Sequence, residues 1–293
     1  MKSGTVAVIG RANAGKSTLI NVLVGEKIAI VSPKPQTTRE RILGILTEKD
    51  YQVVFEDTPG IYKANNRLND FMQRQTNDTA RDVDLILFVI DGHAGVKEED
   101  LETLKRFEKG GIPVLLALSK TDIMPAEKIP EELIKFGDFN LKGVIPVSAR
   151  KGRNVKKLLG AIVELLPEGE KIFTEDIVSD KSEKFMLREI MREKLLLKFD
   201  KEIPHGVAVV LNEYSVRDSG TAEVNLDIIC EKRNHKAIII GKQGQAIKEV
   251  SSFARESMEK FLGRKVFLTV YVKVKEDWRN SPQLLNDYGY KEE

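Results

Sequence analysis

Residues 10–17 read GRANAGKS, a loop bounded by glycines and ending on Lys-Ser. The spacing is G-x-x-x-x-G-K-[ST], set between the apolar run TVAVI and the helix-like KSTLINVLV. Strand, loop and helix in that order form a triphosphate cradle. Gly10 and Gly15 let the backbone N–H groups of the loop, through Arg11, Ala12, Asn13 and Ala14, turn toward phosphate oxygens. The helix that follows, starting Lys16-Ser17-Thr18, adds its positive end. Lys16 would reach the β- and γ-phosphates, and the Ser17 hydroxyl would ligate Mg²⁺. The motif calls for a nucleoside triphosphate and leaves the base open.

Three further stretches complete the chemistry. VVFEDTPG ends a strand on Asp57 about 40 residues after the loop. Asp57 would hold Mg²⁺, and the N–H of Gly60 would meet the γ-phosphate. In LALSKTD, Asp122 can accept hydrogen bonds from guanine N1–H and N2–H₂, donors that adenine lacks there, while the Lys120 stem covers the ring. In IPVSAR (Ser148, Ala149, Arg150) the Ala149 N–H can donate to guanine O6, where an adenine amino group is repelled. Such pairing discriminates strongly. Between the first helix and DTPG lies VSPKPQTTRER, polar and carrying two prolines. It reads as a switch loop from which Thr38, with Thr37 as the alternative, would complete the Mg²⁺ shell.

The elements that must hold these groups are legible to about residue 165. TVAVIG, YQVVFEDT, DLILFVID, IPVLLALSK and GVIPVSA are continuous apolar runs, as in strands covered on both faces. They alternate with KSTLINVLVG, RLNDFMQRQTNDTARDV, EEDLETLKRFEKGG and NVKKLLGAIVELL, which have helical spacing. The pattern predicts an α/β domain with a mainly parallel sheet over residues 1–166. Residues 167–184 are polar and weakly periodic and read as a linker. From 185 to 293 the order is helix, strand, strand, helix, helix, strand, a smaller α+β domain with a C-terminal tail.

Composition excludes more than it assigns. With 41% hydrophobic and 31% charged residues in 293, the chain has enough apolar content for packed cores. The net charge of +2 names no partner by itself. The single cysteine, Cys230, fits a small buried hydrophobe in a reducing compartment. His93, His205 and His235 lack metal-ligand spacing. No run reaches the ~18 apolar residues of a membrane span, and a strand begins almost at the N-terminus. The cytoplasm is the expected compartment.

A second glycine loop stands in HKAIIIGKQGQAIKEV: Gly241-Lys242-Gln243-Gly244 between two helical stretches. Lacking the Lys-Ser ending, it is not a triphosphate loop. Helix, Gly-x-x-Gly and helix, with strands ahead of and behind them, is the pattern of the KH module, whose glycines let single-stranded RNA lie against the loop. Ile238, Ile239 and Ile240 would offer bases an apolar platform, and Lys248 would add charge. From residue 231 to 265 there are nine Lys or Arg against four Glu, a local net of +5 that suits phosphate.

GRANAGKS, DTPG, SKTD and SAR in this order resemble a translation-factor-type GTPase domain. Such domains carry Asn where this chain has Ser119, and that Asn ties the base loop to the phosphate loop. The shorter Ser119 implies weaker guanine binding. Ile61 stands where small signalling GTPases place a water-orienting Gln. In similar GTPases an Asn at the position of Asn13 helps hold a potassium ion; the alternative is a turn hydrogen bond. Slow intrinsic turnover follows either way.

Joined to a C-terminal type II KH domain, the arrangement resembles the Era family, and PQTTRER and DTPGIYK resemble its switch segments. The resemblance implies a GTPase that assists assembly of the small (30S) ribosomal subunit. It implies a KH domain on the 3′ end of 16S rRNA, with GTP/GDP and Mg²⁺ as ligands. A monomer is expected, and the basic surface permits a weak peripheral contact at the inner face of the cell membrane. Two rival readings are an enzyme with a second catalytic constellation and a binding protein whose nucleotide is structural.

Overall fold

The computed structural model describes residues 1–60, 66–79 and 82–290. They fall into two compact units. The first comprises Met1–Ala29, Thr38–Lys63 and Met72–Asp180; the second comprises Ile30–Thr37, Ala64–Phe71 and Lys181–Glu293.

The apolar runs of the first unit become β1 (Lys2–Ile9), β2 (Ile42–Thr47), β3 (Tyr51–Asp57), β4 (Leu85–Asp91), β5 (Val114–Ser119) and β6 (Gly143–Pro146). Around them run α1 (Lys16–Val24), α2 (Arg67–Thr79), α3 (Glu98–Glu108), α4 (Lys128–Ile134) and α5 (Val155–Leu165). The sheet order is β2-β3-β1-β4-β5-β6, parallel except for the β2–β3 pair. Each central strand is buried on both faces; Val6, Ala7, Val8 and Ile9 have no exposed surface. This is why β1, β4 and β5 read as unbroken apolar runs. Ala7, Ile9, Phe88, Leu104, Leu116 and Phe136 share one core cluster. The carboxyl ends of β1, β3 and β5 deliver the phosphate loop, Asp57 and Ser119, as expected for a parallel sheet.

The sequence reading missed β2, which sits between a polar loop and a tight turn at Glu48–Tyr51. It also placed a linker at 167–184. Instead, residues up to 180 belong to the first unit. The Ser3 N–H donates to Pro167 O at 3.0 Å and the Ile45 N–H to Val178 O at 2.9 Å. Buried Gln52 accepts from the backbone N–H groups of Ile172 and Phe173 and donates to Phe173 O at 2.8 Å. Polar side chains announce solvent on one side of a segment; they say nothing of where its backbone is bonded.

The second unit contains α6 (Glu183–Lys198), β7 (Val207–Val216), β8 (Ala222–Cys230), α7 (Arg233–Ile240), α8 (Gln245–Leu262), β9 (Val266–Val274) and α9 (Pro282–Asp287). Ser182 caps α6, its hydroxyl accepting from the Phe185 N–H at 3.3 Å. The sheet order is β7-β8-β9, antiparallel then parallel. Its inner face packs on Leu187, Ile190, Met191 and Leu195 of α6 and on Ile239, Val250, Ala254 and Met258 of α7 and α8. Cys230 lies in this core, and burial pushes its thiol pKa upward. The tail is not loose: Trp278 is fully buried and donates through Nε1 to Gly206 O at 3.0 Å.

Candidate functional site

The phosphate loop has the backbone that its glycines require. A side chain on Gly10 (φ 155°) would place Cβ 2.2 Å from Val89 O, and Gly15 has φ 94°. Lys16 is buried at the start of α1 and its Nζ donates to Gly10 O at 3.0 Å and Arg11 O at 3.2 Å. The loop is anchored by a bond that the sequence reading did not foresee. Arg11 Nε donates to Asp100 Oδ1 at 2.6 Å, and Asp100, 1% exposed, also caps the start of α3. Arg11 stands at a variable position of the phosphate-loop motif and Asp100 in no motif; only the fold brings them together.

Burial lowers the Lys16 pKa to about 8, with Asp57 opposing the shift. Triphosphate oxygens around the ammonium would raise it again. Binding should therefore take up a proton between pH 8 and the ordinary lysine value of 10.5. The sign follows: affinity is level below pH 8 and falls above it, by up to about tenfold per pH unit. Calorimetry of GTP binding at about pH 9 in two buffers of different ionisation heat checks this. Equal heats in the two buffers would contradict it.

Three oxygens converge beside Lys16. Ser17 Oγ donates to Asp57 Oδ2 at 2.6 Å, Ser17 Oγ and Thr38 Oγ1 lie 2.9 Å apart, and Thr38 Oγ1 donates to Asp57 Oδ2 at 3.2 Å. Asp57 has no exposed surface and its Oδ1 is buried without a hydrogen-bond partner. Burial raises the Asp57 pKa, opposed by Lys16, Ser17 and Thr38. A buried carboxylate oxygen with no donor, beside two hydroxyls, fits a hard divalent cation such as Mg²⁺. Thr37 points elsewhere: its hydroxyl donates to Lys34 O at 2.6 Å. Thr58 Oγ1 donates to Val8 O at 3.0 Å, and Thr76 Oγ1 donates to Pro59 O at 2.9 Å, fixing the strand end that carries Gly60. Ile61 lies outside the described residues.

The base pocket departs from the sequence expectation at one point. Ser119 Oγ donates to Ala14 O at 2.6 Å, so the shorter side chain does tie the base loop to the phosphate loop. Ser119 is 5% exposed, which makes this bond dry and geometrically fixed. Ser119→Ala should weaken GDP and GTP alike by about 1–2 kcal/mol, read by equilibrium displacement of a fluorescent GDP. Unchanged affinity for both would deny the tie a role. The Lys120 Nζ donates to Asp91 Oδ2 at 2.7 Å, which fixes the end of the side chain. Asp122 Oδ1 accepts from Ser148 Oγ at 2.7 Å, and that bond holds its carboxyl below the usual carboxylate range, aided by Arg150 and Lys151. The Thr121 N–H donates to Val147 O at 3.2 Å, joining the SKTD and SAR loops. Gly10 through Ser17, Asp57, Gly60, Ser119, Lys120, Asp122 and Ser148–Arg150 thus belong to one unit.

In the second unit the other glycine loop joins α7 to α8. Gly241 has φ 74° and ψ 177°, Gln243 φ 50° and Gly244 φ 77°. A Cβ on Gly241 would lie 2.6 Å from Ala246 Cβ. Lys242, Gln243 and Lys248 are exposed. The three isoleucines do not share a face. Ile238 is exposed and Ile240 half-buried, but Ile239 has no exposed surface and belongs to the core. Consecutive helical residues point about 100° apart, so three in a row cannot form one platform. Freeing Ile239 would forfeit roughly 1.5–3 kcal/mol of burial. The apolar surface beside the loop is Ile238 with part of Ile240.

The fold and site define a class: a phosphate-loop, guanine-selecting GTPase unit followed by a KH unit. Residues 5–120 match the family described as 50S ribosome-binding GTPase, and residues 202–279 match the KH domain. The GTPase Era of Clostridium kluyveri is 46% identical over 292 residues, covering 99% of this chain and 100% of that one. The GTPase Era of Caldanaerobacter subterraneus subsp. tengcongensis is 43% identical over 291 residues, 99% and 98% of the two chains. The crystal structure of Era with MgGDPNP and nucleotides 1506–1542 of 16S ribosomal RNA superposes with TM-score 0.95 at 38% identity. That of an Aquifex aeolicus Era variant bound to GDP.AlF₄⁻ gives 0.94 at 38%; both cover all of both chains. The chain belongs to the Era family of GTPases. Among the described residues no helix is long and apolar enough to cross a membrane.

Proposed function

We propose that this protein hydrolyses GTP to GDP and phosphate and binds the 3′ end of 16S rRNA during small-subunit assembly, with nucleotide state controlling RNA binding. The observation that carries the reading is a full guanine-nucleotide site and a KH loop in one chain. That chain is alike over its whole length to an Era solved with MgGDPNP and 16S nucleotides. Lys16 would clamp the β- and γ-phosphates, and the Gly60 N–H would meet the γ-phosphate. Ser17, Thr38 and Asp57 would hold Mg²⁺, which neutralises phosphate charge when bound. Asn13 would serve a potassium ion; if so, turnover is faster in K⁺ than in Na⁺, and replacing Asn13 removes the difference.

Around Gly241–Gly244 the exposed Lys242 and Lys248 would meet the RNA backbone while Ile238 faces a base. The protein acts as a cytoplasmic monomer, and its basic surface supports a weak contact with the inner face of the membrane. The test is RNA affinity for a 16S 3′-end fragment, measured with a non-hydrolysable GTP analogue and with GDP at fixed salt. Equal affinities would remove nucleotide control; no affinity in either state would remove the rRNA reading. Gly241→Ala should lose RNA binding and keep GTP turnover.

A further inference from the structure

The phosphate loop turns on one carbonyl. Arg11 O accepts the Ala14 N–H at 3.2 Å, which closes the turn, and the Lys16 ammonium at 3.2 Å. The next residue is Ala12, whose main chain would meet any side chain placed at Gly60. The Arg11 side chain is held from outside the loop, its Nε donating to Asp100 Oδ1 at 2.6 Å. The other Asp100 oxygen, Oδ2, accepts from the Lys97 N–H at 3.0 Å at the start of α3. Asp100 is 1% exposed and lies one turn ahead of Leu104 on the buried face of α3. Leu104 shares a core cluster with Ile9, the last residue of β1 before the loop. All of these residues lie in the first unit.

We propose that Asp100 is a positioning residue of the nucleotide site: by holding the Arg11 guanidinium it fixes the Arg11 carbonyl, and with it the phosphate-cradling turn and the resting place of Lys16. The inference rests on the guanine-nucleotide reading of this site. Stability is a poor reason for the pair, because taking a carboxylate out of water is expensive and an apolar residue would serve a packed helix face as well. What the pair adds is direction. A charge-assisted bond is short and fixed in geometry, and this one has its acceptor on a helix seated in the core rather than on another loop. One carboxylate thus ties α3 through Oδ2 and the phosphate loop through Oδ1. Without it, the nucleotide itself would have to order Arg11 and the peptide behind it, at a cost in chain entropy that shows as lost affinity. The base loop has supports of its own, Ser148 on Asp122 and Val147 O on the Thr121 N–H, so the loss is addressed to the phosphates.

The experiment measures the release rate of fluorescent GDP, with guanosine competition as the phosphate-free reading. Asp100→Asn can keep the α3 cap through its amide oxygen while turning an N–H toward Arg11, so it breaks one bond of the two. Arg11→Met breaks the same bond from the other side. Each should speed GDP release about tenfold. The double variant, which buries no charge, should release no faster than the faster single one, since two changes to one interaction do not add. Guanosine affinity should move far less than GDP affinity. If the single variants, melting like the parent, release GDP at the parent rate, Asp100 has no positioning role. Rates that multiply in the double variant would put the effect on α3 rather than through Arg11, and would overturn the inference. So would a loss of guanosine as large as that of GDP, which marks a loosened fold. A parent that holds no GDP fails the nucleotide reading itself, and the inference with it. Should Asp100→Asn not fold, Arg11→Met decides alone, an unchanged release rate overturning the proposal.

Discussion

Asp122→Asn should turn a guanine site into a xanthine site. One oxygen of Asp122 would accept guanine N1–H and the other N2–H₂. An amide keeps one acceptor and offers N–H where the second stood, so it opposes the guanine amino group and matches the xanthine carbonyl. Ser148 can still donate to the retained amide oxygen, as it does to Asp122 Oδ1 at 2.7 Å, so the loop should keep its shape. A pocket that leaves a dedicated polar group facing the wrong partner rejects its ligand by about 10²–10⁴-fold. Competition against fluorescent GDP with GTP and with xanthosine triphosphate reads both halves of the exchange. Equal loss of both nucleotides would mean a broken loop rather than a changed reader.

Gly60→Ala should nearly stop hydrolysis while leaving GDP binding close to normal. A Cβ at this position would sit 2.6 Å from Ala12 Cα and 2.7 Å from Ala12 N. Backbone atoms cannot swing aside as a flexible side chain can. Ala12 cannot retreat either, since the neighbouring Arg11 is bonded to buried Asp100 at 2.6 Å. The strand end would move instead, carrying the Gly60 N–H away from the γ-phosphate. Loss of one positioned donor to developing charge costs roughly 10²–10³-fold in rate. GDP has no γ-phosphate to miss the donor. Single-turnover phosphate release gives the rate and fluorescent GDP gives the affinity; a full-rate variant would show that the placement of the Gly60 N–H has no part in hydrolysis.

How much of this was legible from sequence depended on what each residue had to do. The phosphate loop, Asp57, Gly60 and Asp122 could be read because phosphate, metal and guanine each dictate a residue type at a fixed step along the chain. The parallel strands could be read because burial on both faces leaves no polar position. Arg11–Asp100, Lys120–Asp91 and Arg192 with the Gln36 carbonyl could not. Their partners lie 89, 29 and 156 positions apart in the sequence and obey no period. Ser119 misled for a related reason: a loss of reach was inferred from side-chain length, whereas the backbone brings Ala14 O to within 2.6 Å of its hydroxyl. Ile239 was misplaced because a run of like residues invites one reading for all, and a helix divides them.

The chain's one tryptophan is Trp278, fully buried in the second unit against Tyr288 at 5.7 Å and Tyr290 at 6.0 Å. Its emission is therefore an optical label that nature has placed in one unit alone. Denaturant titrations excited at the indole edge should follow loss of the RNA-binding unit, while far-ultraviolet dichroism follows both. Saturating GDP at about 100 times its dissociation constant stabilises the unit that binds it by roughly 2.7 kcal/mol. The dichroism midpoint should move with nucleotide; whether the indole midpoint moves with it measures, without any added dye, how far the two units unfold as one.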